Sequence, residues 1–328
     1  MSKEKVLNSL RNSNDFVSGQ TLADQLGVSR NTIWKYVKAL VDDGYKIKSV
    51  TNRGYRIEEI TQQLNETEIL RQTPLLPEQL KVFKSLSSTN DWIKEHQENL
   101  APGTVVITSH QTSGRGRQGR SFHSPADQGI YFSLLYKGDT IPRFDFVTIT
   151  AALAVTTVLE ELGFSPAIKW VNDIYLDKHK VCGILTEGEL ELETGQMKYL
   201  VLGIGINVNN ESFPAELSKV ATSLRLAGGH PFDLNELAAK LIDEVTQWMS
   251  LLLPKGNNVD SAQAVDGIIK AFNQRLYLKG ELVTLIAGSG LRVTGELIGT
   301  DEKGHILLDT PEGLRSFPYG EYRLSVDP

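Results

Sequence analysis

Cysteine is almost missing from this chain. Cys182 stands alone among 328 residues, so no intrachain disulfide can form, and the sequence reads as that of a protein from a reducing compartment. Long hydrophobic runs are missing too. None reaches the roughly 18 residues that a membrane-spanning helix needs, although hydrophobic residues make up 40% of the chain and a sizeable core is within reach. The opening MSKEKVLNSL has neither the apolar stretch nor the small-residue cleavage site of a signal peptide. Together these absences point to a cytoplasmic protein with no membrane contact. Two nucleotide signatures also fail. No G-x-x-x-x-G-K-[ST] loop occurs, and GRGRQG, a formal match to the dinucleotide fingerprint, runs into RSFHSPADQG instead of a helix. No helix N-terminus is there to meet a pyrophosphate.

Charge is present but unevenly placed. The net charge is −6, yet residues 1–56 carry ten basic and five acidic side chains, so the head is +5 and the remainder −11. A basic head on an acidic body points to a polyanion-binding module joined to something else. Ser18 to Tyr45 has the pattern of a helix-turn-helix. Leu22, Ala23 and Leu26 form an apolar stripe, Gly27 ends it, and Ser29 is placed to cap a second helix. In that helix Ile33, Val37 and Leu40 recur at the spacing of one buried face. The other face shows Arg30, Asn31, Trp34, Lys35 and Lys38, which are candidate DNA contacts. Tyr45 to Ile57 alternates like a hairpin around Asn52-Arg53-Gly54 and reads as a wing with Arg53 at its tip. A helical docking domain with a solvated basic face is the competing reading. Residues 58–80, with Pro74 and Pro77, read as a connecting segment.

The body reads as α+β. GTVVITSHQ, GIYFSLLYK, AIKWVNDIYL, KVCGILTEGEL and KYLVLGIGINVN predict strands. Phe146 to Gly163 predicts a helix buried all round, and 233–253 and 259–274 predict two late helices. Ser88 followed by Asp91 resembles a capping box, so Ser88, Thr89 and Asn90 either cap a helix or hold a polar ligand group. Thr112 to Phe122 sets Arg115, Arg117 and Arg120 among glycines. Each guanidinium is a planar fork for phosphate or carboxylate, so a loop that closes over an anion competes with a solvated basic or RNA-binding loop. Lys169, Asp173 and Lys180 are expected to converge if their strands pair, Cys182 to be inert core, and Gly203 and Gly205 to mark a close approach.

SSTN, GRGRQGR, KWVND, KVCGIL and GIGINV, in this order behind a winged helix-turn-helix, resemble the bifunctional biotin protein ligases that also repress biotin genes. The resemblance covers nearly the whole chain. Val171 departs from it where proline is more usual, and Phe122 where tryptophan is. It implies a winged helix-turn-helix DNA-binding domain over 1–60 and a linker over 61–80. It also implies a central α/β ligase domain of the biotin/lipoate-ligase type over 81–274, which binds biotin and ATP, and an SH3-like C-terminal β-barrel over 275–328. It implies ATP, Mg²⁺ and biotin as ligands, with biotinyl-5′-AMP as intermediate and corepressor. The partners it implies are the biotin carboxyl-carrier domains of carboxylases, operator DNA and a second copy of the chain in a homodimer favoured by biotinyl-AMP.

The resemblance also implies residue roles. Ser88, Thr89, Asn90 and Gln111 are to hold the ureido end of biotin. Arg115, Gly116 and Arg117 are to cover the biotinyl-phosphate junction, Arg120 to meet the ATP phosphates and Phe122 the adenine. Lys180 is to bridge the biotin carboxylate and α-phosphate. Asn172, Asp173 and Asn207 are to support nucleotide or Mg²⁺. Gly183 and Gly203 complete the expected binding set, Glu321 is a weaker contact, and no residue is assigned as a metal ligand. A ligand-sensing repressor without ligase activity and a lipoate-type ligase are the alternatives.

Overall fold

The computed structural model describes residues 2–11, 13, 15–42, 44–59, 63–137, 143–191, 193, 197–253 and 261–325. The head has its own core. Helix α1 (Ser2–Arg11) packs Val6, Leu7 and Leu10 against α2 (Gly19–Leu26) and α3 (Arg30–Asp42), with Tyr45 completing the cluster. Val6, Leu7 and Leu10 have the spacing of one helical face, as the burial of all three bears out. Ser18 and Ser29 accept amide hydrogens at the starts of α2 and α3, and Gly27 closes α2 in the left-handed region at φ 65°. Strands β1 (Lys46–Val50) and β2 (Gly54–Glu59) form the expected hairpin. Arg53 is not a free tip residue. It pairs with Asp15 at 3.0 Å and stacks on Phe16.

The connecting segment is more ordered than its composition suggests. Helix α4 (Glu66–Leu70), capped by Asn65, lies within it, and Asn235 fastens its start by accepting from the Asn65 amide at 2.8 Å. Glu68 of α4 is almost fully buried between head and body, where its carboxylate meets Tyr45 Oη and the Arg11 guanidinium. One carboxylate therefore joins the two units.

The body is built on a seven-stranded sheet in the order β3-β4-β5-β9-β8-β7-β6. Its strands are β3 (Leu80–Phe83), β4 (Val105–Thr108), β5 (Gly129–Lys137), β6 (Pro166–Lys169), β7 (Asp173–Leu176), β8 (His179–Leu190) and β9 (Met197–Asn207). Only β3 and β4 run parallel, joined over one face by α5 (Thr89–His96); the other pairs are antiparallel. The expected single strand AIKWVNDIYL is two strands. The chain reverses at Trp170-Val171-Asn172, through a cis Trp170–Val171 peptide, so that Lys169 pairs with Asp173.

Helices α6 (Val147–Glu161), α8 (Leu234–Met249) and α9 (Ser261–Gln274) cover one face, and α7 (Leu224–Gly228) is a short turn before α8. Helix α8 stops at Met249, four residues short of expectation; positions 259 and 260 lie outside the described residues. Strands β10 (Leu282–Ala287), β11 (Arg292–Thr300), β12 (Ile306–Thr310), β13 (Gly313–Phe317) and β14 (Tyr322–Ser325) form an antiparallel sheet in the order β13-β12-β11-β10-β14. Val283, Leu285, Leu297 and Leu308 of this sheet share the body's core, and Trp170 Nε1 donates to Gly304 O at 3.1 Å. Among the described residues no helix is long and apolar enough to cross a membrane.

The buried Glu68 junction yields a prediction. Glu68→Leu strands the Arg11 charge and costs about 3–5 kcal/mol in urea unfolding. Adding Arg11→Met recovers most of that loss.

Candidate active site

Strand periodicity creates the site. On β9, Leu200, Leu202, Ile204 and Ile206 enter the core under α6 and α8, while Tyr199 and Val201 pack on the opposite face beneath α5. Gly203 and Gly205 continue that second face with no side chain. Ser133 on β5 lies opposite Gly203, and Gly183 on β8 lies opposite Gly205. Three glycines on facing strands therefore leave a slot between the core under α5 and the loop above it. Ser88, Thr89, Asn90, Gln111, Phe122 and Lys180 are among the residues that line it.

One end of the slot is floored by polar groups whose hydrogens are committed. Asn90 Nδ2 donates to Glu187 Oε2 at 2.7 Å and to Leu185 O at 3.3 Å, so its Oδ1 turns toward Ser133 Oγ at 2.6 Å. A Cβ at Gly203 would collide with that Oδ1. Gln111 Oε1 accepts from the Thr89 amide at 2.9 Å. Ser88 serves as the cap of α5, accepting from the Asp91 amide, and still faces the slot. Capping and ligand binding are thus compatible here. Ser133 and Glu187 were not singled out in the sequence, because a serine in a strand and a glutamate near a strand end carry no motif of their own.

The arginine loop forms the roof. It folds on its own backbone: Gly116 N donates to Arg120 O at 2.7 Å, Phe122 N donates to Gly114 O at 2.8 Å, and Gly119 turns the chain at φ 74°. Arg115 pairs through Nε with Asp91 at 2.9 Å, and Arg117 Nη1 donates to Asn172 Oδ1 at 3.1 Å. Burial lowers the Arg117 guanidinium, partly offset by the Asp173 charge. The Phe122 ring lies over the glycines; a Cβ at Gly205 would come within 2.9 Å of it.

Beyond the ring is a second, wider cavity. Lys169, Asp173 and Lys180 do converge there, with Lys180 Nζ 2.6 Å from Asp173 Oδ1. Arg117, Arg120 and Asn172 also face it, as do Tyr322, Arg323 and Ser325 of β14. Glu321 is exposed and lines neither cavity; its neighbours on β14 do. Asn207 lines neither cavity either. It is buried, and its amide donates to Thr222 O at 3.1 Å, bracing the segment whose Val220 and Thr222 bond the Lys180 backbone. Cys182 is fully buried and burial raises its thiol, as expected of inert core.

In the head, Arg30, Asn31, Trp34, Lys35 and Lys38 all lie exposed on α3, with Trp34 51% exposed and Lys38 over its ring.

Because Asn90 is held by at least three hydrogen bonds, it cannot yield to a new methyl group. Gly203→Ala is expected to cost about 1–3 kcal/mol in denaturant unfolding, whereas Gly267→Ala, in open space on α9, is neutral or stabilising.

Residues 82–207 match the model of the biotin/lipoate A/B protein ligase family, and residues 3–56 match an HTH domain model. The chain is 32% identical to the bifunctional ligase/repressor BirA of Bacillus subtilis, across 92% of each chain. It is 29% identical to BirA of Escherichia coli, over 94% of this chain and 93% of that one. Among solved structures it resembles the biotin protein ligase of Aquifex aeolicus in complex with biotin and ATP, with a TM-score of 0.63 and 30% identity over 75% of this chain and 98% of that one. With a helix-turn-helix head, a slot floored by glycines beneath an arginine loop, and 32% identity over 92% of the chain to a bifunctional ligase/repressor, the chain belongs to the biotin protein ligase family.

Proposed function

We propose that this chain is an ATP-dependent biotin protein ligase, and that through its head it is also a biotin-responsive repressor of biotin synthesis or transport genes. The observation that carries the reading is the continuity of one sheet face. A slot with a hydrogen-bonding floor runs under the arginine loop and opens, at Lys180, into a wider cationic cavity. A molecule with a polar ring at one end and a carboxylate at the other suits the slot. A nucleoside triphosphate suits the cavity.

In the first half-reaction a biotin carboxylate oxygen attacks the α-phosphorus of ATP. The bond to pyrophosphate breaks, leaving biotinyl-5′-AMP. Ser88, Thr89, Asn90 and Gln111 bind the ureido end, Gly203 leaves room beside Asn90, and Gly183 leaves room beside Lys180 and Phe122. Lys180 sits between slot and cavity, where it bridges the two reacting groups, and Asp173 orients its ammonium. Arg115 and Arg117, with Gly116 between them, face the mixed-anhydride junction, and Arg120 meets the phosphates. Negative charge builds on the transferred oxygens, and fixed cations stabilise it more than they stabilise the ground state. Phe122 stacks with the adenine.

In the second half-reaction the ε-amine of an acceptor lysine attacks the acyl carbon and AMP leaves. The acceptor is a biotin carboxyl-carrier domain of a carboxylase. Mg²⁺ bound with ATP would neutralise charge on the phosphates. Asp173, the acidic side chain facing that cavity among the described residues, would help to hold it beside Asn172, and Asn207 lends indirect support through the segment that bonds the Lys180 backbone.

The same reading divides the chain into a DNA-binding head (1–60), a linker (61–80), a catalytic domain (81–274) and a C-terminal domain (275–328). It places the protein in the cytoplasm and has biotinyl-AMP favour a homodimer whose two heads contact two operator half-sites. Arg30, Asn31, Trp34, Lys35, Lys38 and Arg53 supply the DNA contacts.

Two outcomes follow. ATP–pyrophosphate exchange requires biotin, and Lys180→Gln lowers its rate by about 10²–10³ while the fold stays intact; exchange that ignores biotin, or survives in Lys180→Gln, contradicts the assignment. In gel shifts, Lys35→Ala weakens binding to all duplexes and reduces the salt slope by about one. Wild-type binding is stronger with biotin and ATP present; equal, monomeric binding with and without them removes the repressor half.

A further inference from the structure

Behind the slot lies a chain of four charged side chains of alternating sign. Arg115 Nε contacts Asp91 Oδ2 at 2.9 Å, and Lys94 Nζ contacts Asp91 Oδ1 at 2.8 Å and Glu187 Oε1 at 2.8 Å. The other oxygen of Glu187 accepts from Asn90 Nδ2 at 2.7 Å. Each carboxylate thus gives one oxygen to Lys94 and the other to a residue lining the slot. Asp91 occupies only the Nε edge of Arg115, which leaves the two terminal nitrogens free to act as a fork for an anion. Glu187 fixes the amide of Asn90, so that its Oδ1 faces the floor. Burial opposes the charge on Lys94, but the hydrogen bonds to Asp91 and Glu187 more than offset this and raise the ammonium.

We infer that Lys94 is the positioning residue of a length gauge: through Asp91 and Glu187 it sets the span between Asn90 and Arg115, and so selects ligands by the length of chain joining their polar ring to their carboxylate. The inference rests on the biotin reading above. Asn90 and Arg115 serve opposite ends of one ligand. Asp91 and Lys94 lie on one face of α5, three residues apart, while Glu187 is fixed in the sheet on β8. Removing the ammonium leaves two carboxylates facing each other. They move apart, and the span between the two ends is no longer defined. None of these three charged groups touches the reacting atoms; they reach the chemical step only through Arg115, and ligand length through the span from Asn90 to Arg115.

The test is biotin-dependent ATP–pyrophosphate exchange by the full chain. The substrates are biotin and its analogues with one methylene fewer and one more in the acyl chain. A methylene in a fitted site is worth about 10–200-fold in kcat/KM, and the wild-type protein is expected to discriminate in that range. Lys94→Met is expected to bring the three substrates within about threefold of each other in kcat/KM, with KM for ATP changed less than about twofold. Lys94→Arg restores the discrimination. Asp91→Asn, which keeps the α5 backbone cap, gives a second reading if Lys94→Met does not fold, and should relax the preference in the same direction. Wild-type exchange with unchanged discrimination in Lys94→Met and Asp91→Asn overturns the gauge alone. A wild-type protein without biotin-dependent exchange overturns the underlying ligase reading, and the gauge with it.

Discussion

The absence of side chains at Gly183, Gly203 and Gly205 is the constraint on which the rest of the site depends. A seven-stranded sheet alternates its side chains between two faces, and here one face is packed against α6 and α8. Had the other face been filled as well, the sheet would be buried on both sides with no room for a ligand. Three small positions in neighbouring strands open it at one place. Asn90 and Phe122 then enter the gap and come into contact with backbone, as the predicted collisions at Gly203 and Gly205 show. The slot is therefore held by the sheet itself, and the arginine loop only roofs it.

The cationic groups of the site are tied into the fold by counterparts. Asp91 holds Arg115, Asn172 holds Arg117, and Asp173 holds Lys180. Preorganised donors of this kind do not have to be oriented at the moment when negative charge develops. The turn at 170–172 matters for two of these contacts. By splitting the expected strand into β6 and β7 it brings Asn172 under the arginine loop and Asp173 beside Lys180. The C-terminal sheet supplies the far wall of the second cavity through Tyr322, Arg323 and Ser325, and its shared core with the body keeps that wall in place.

Much of this was legible in the amino-acid sequence, and the parts that were not share a cause. The helix-turn-helix was readable because its signals are local: a stripe, a glycine and a capping serine. Gly203 and Gly205 were readable as a close approach because glycine is rare inside strands. Ser133 and Glu187 were not, since each matters only through strand pairing with a distant segment. The break at 170–172 was hidden because KWVNDIYL alternates well enough for one strand. Helix α4 was hidden by the prolines around it, and its role lies in one residue, Glu68, whose partners Arg11 and Tyr45 are more than twenty residues upstream. Asn207 was assigned to the site by its place at the end of GIGINV and Glu321 by analogy alone, and neither lines the two cavities.

That same Glu68 junction fastens a DNA-facing head to a ligand-binding body, so the two activities proposed for this chain share one buried carboxylate. The claim beneath both is that the slot and cavity together make an acyl-adenylate from biotin. Native mass spectrometry of the purified chain incubated with biotin, ATP and Mg²⁺ tests this most directly. The account predicts a complex heavier by the mass of biotinyl-5′-AMP, formed only when both substrates are present. A chain that binds biotin unchanged, or that forms the corresponding adduct with lipoate and not with biotin, would contradict it.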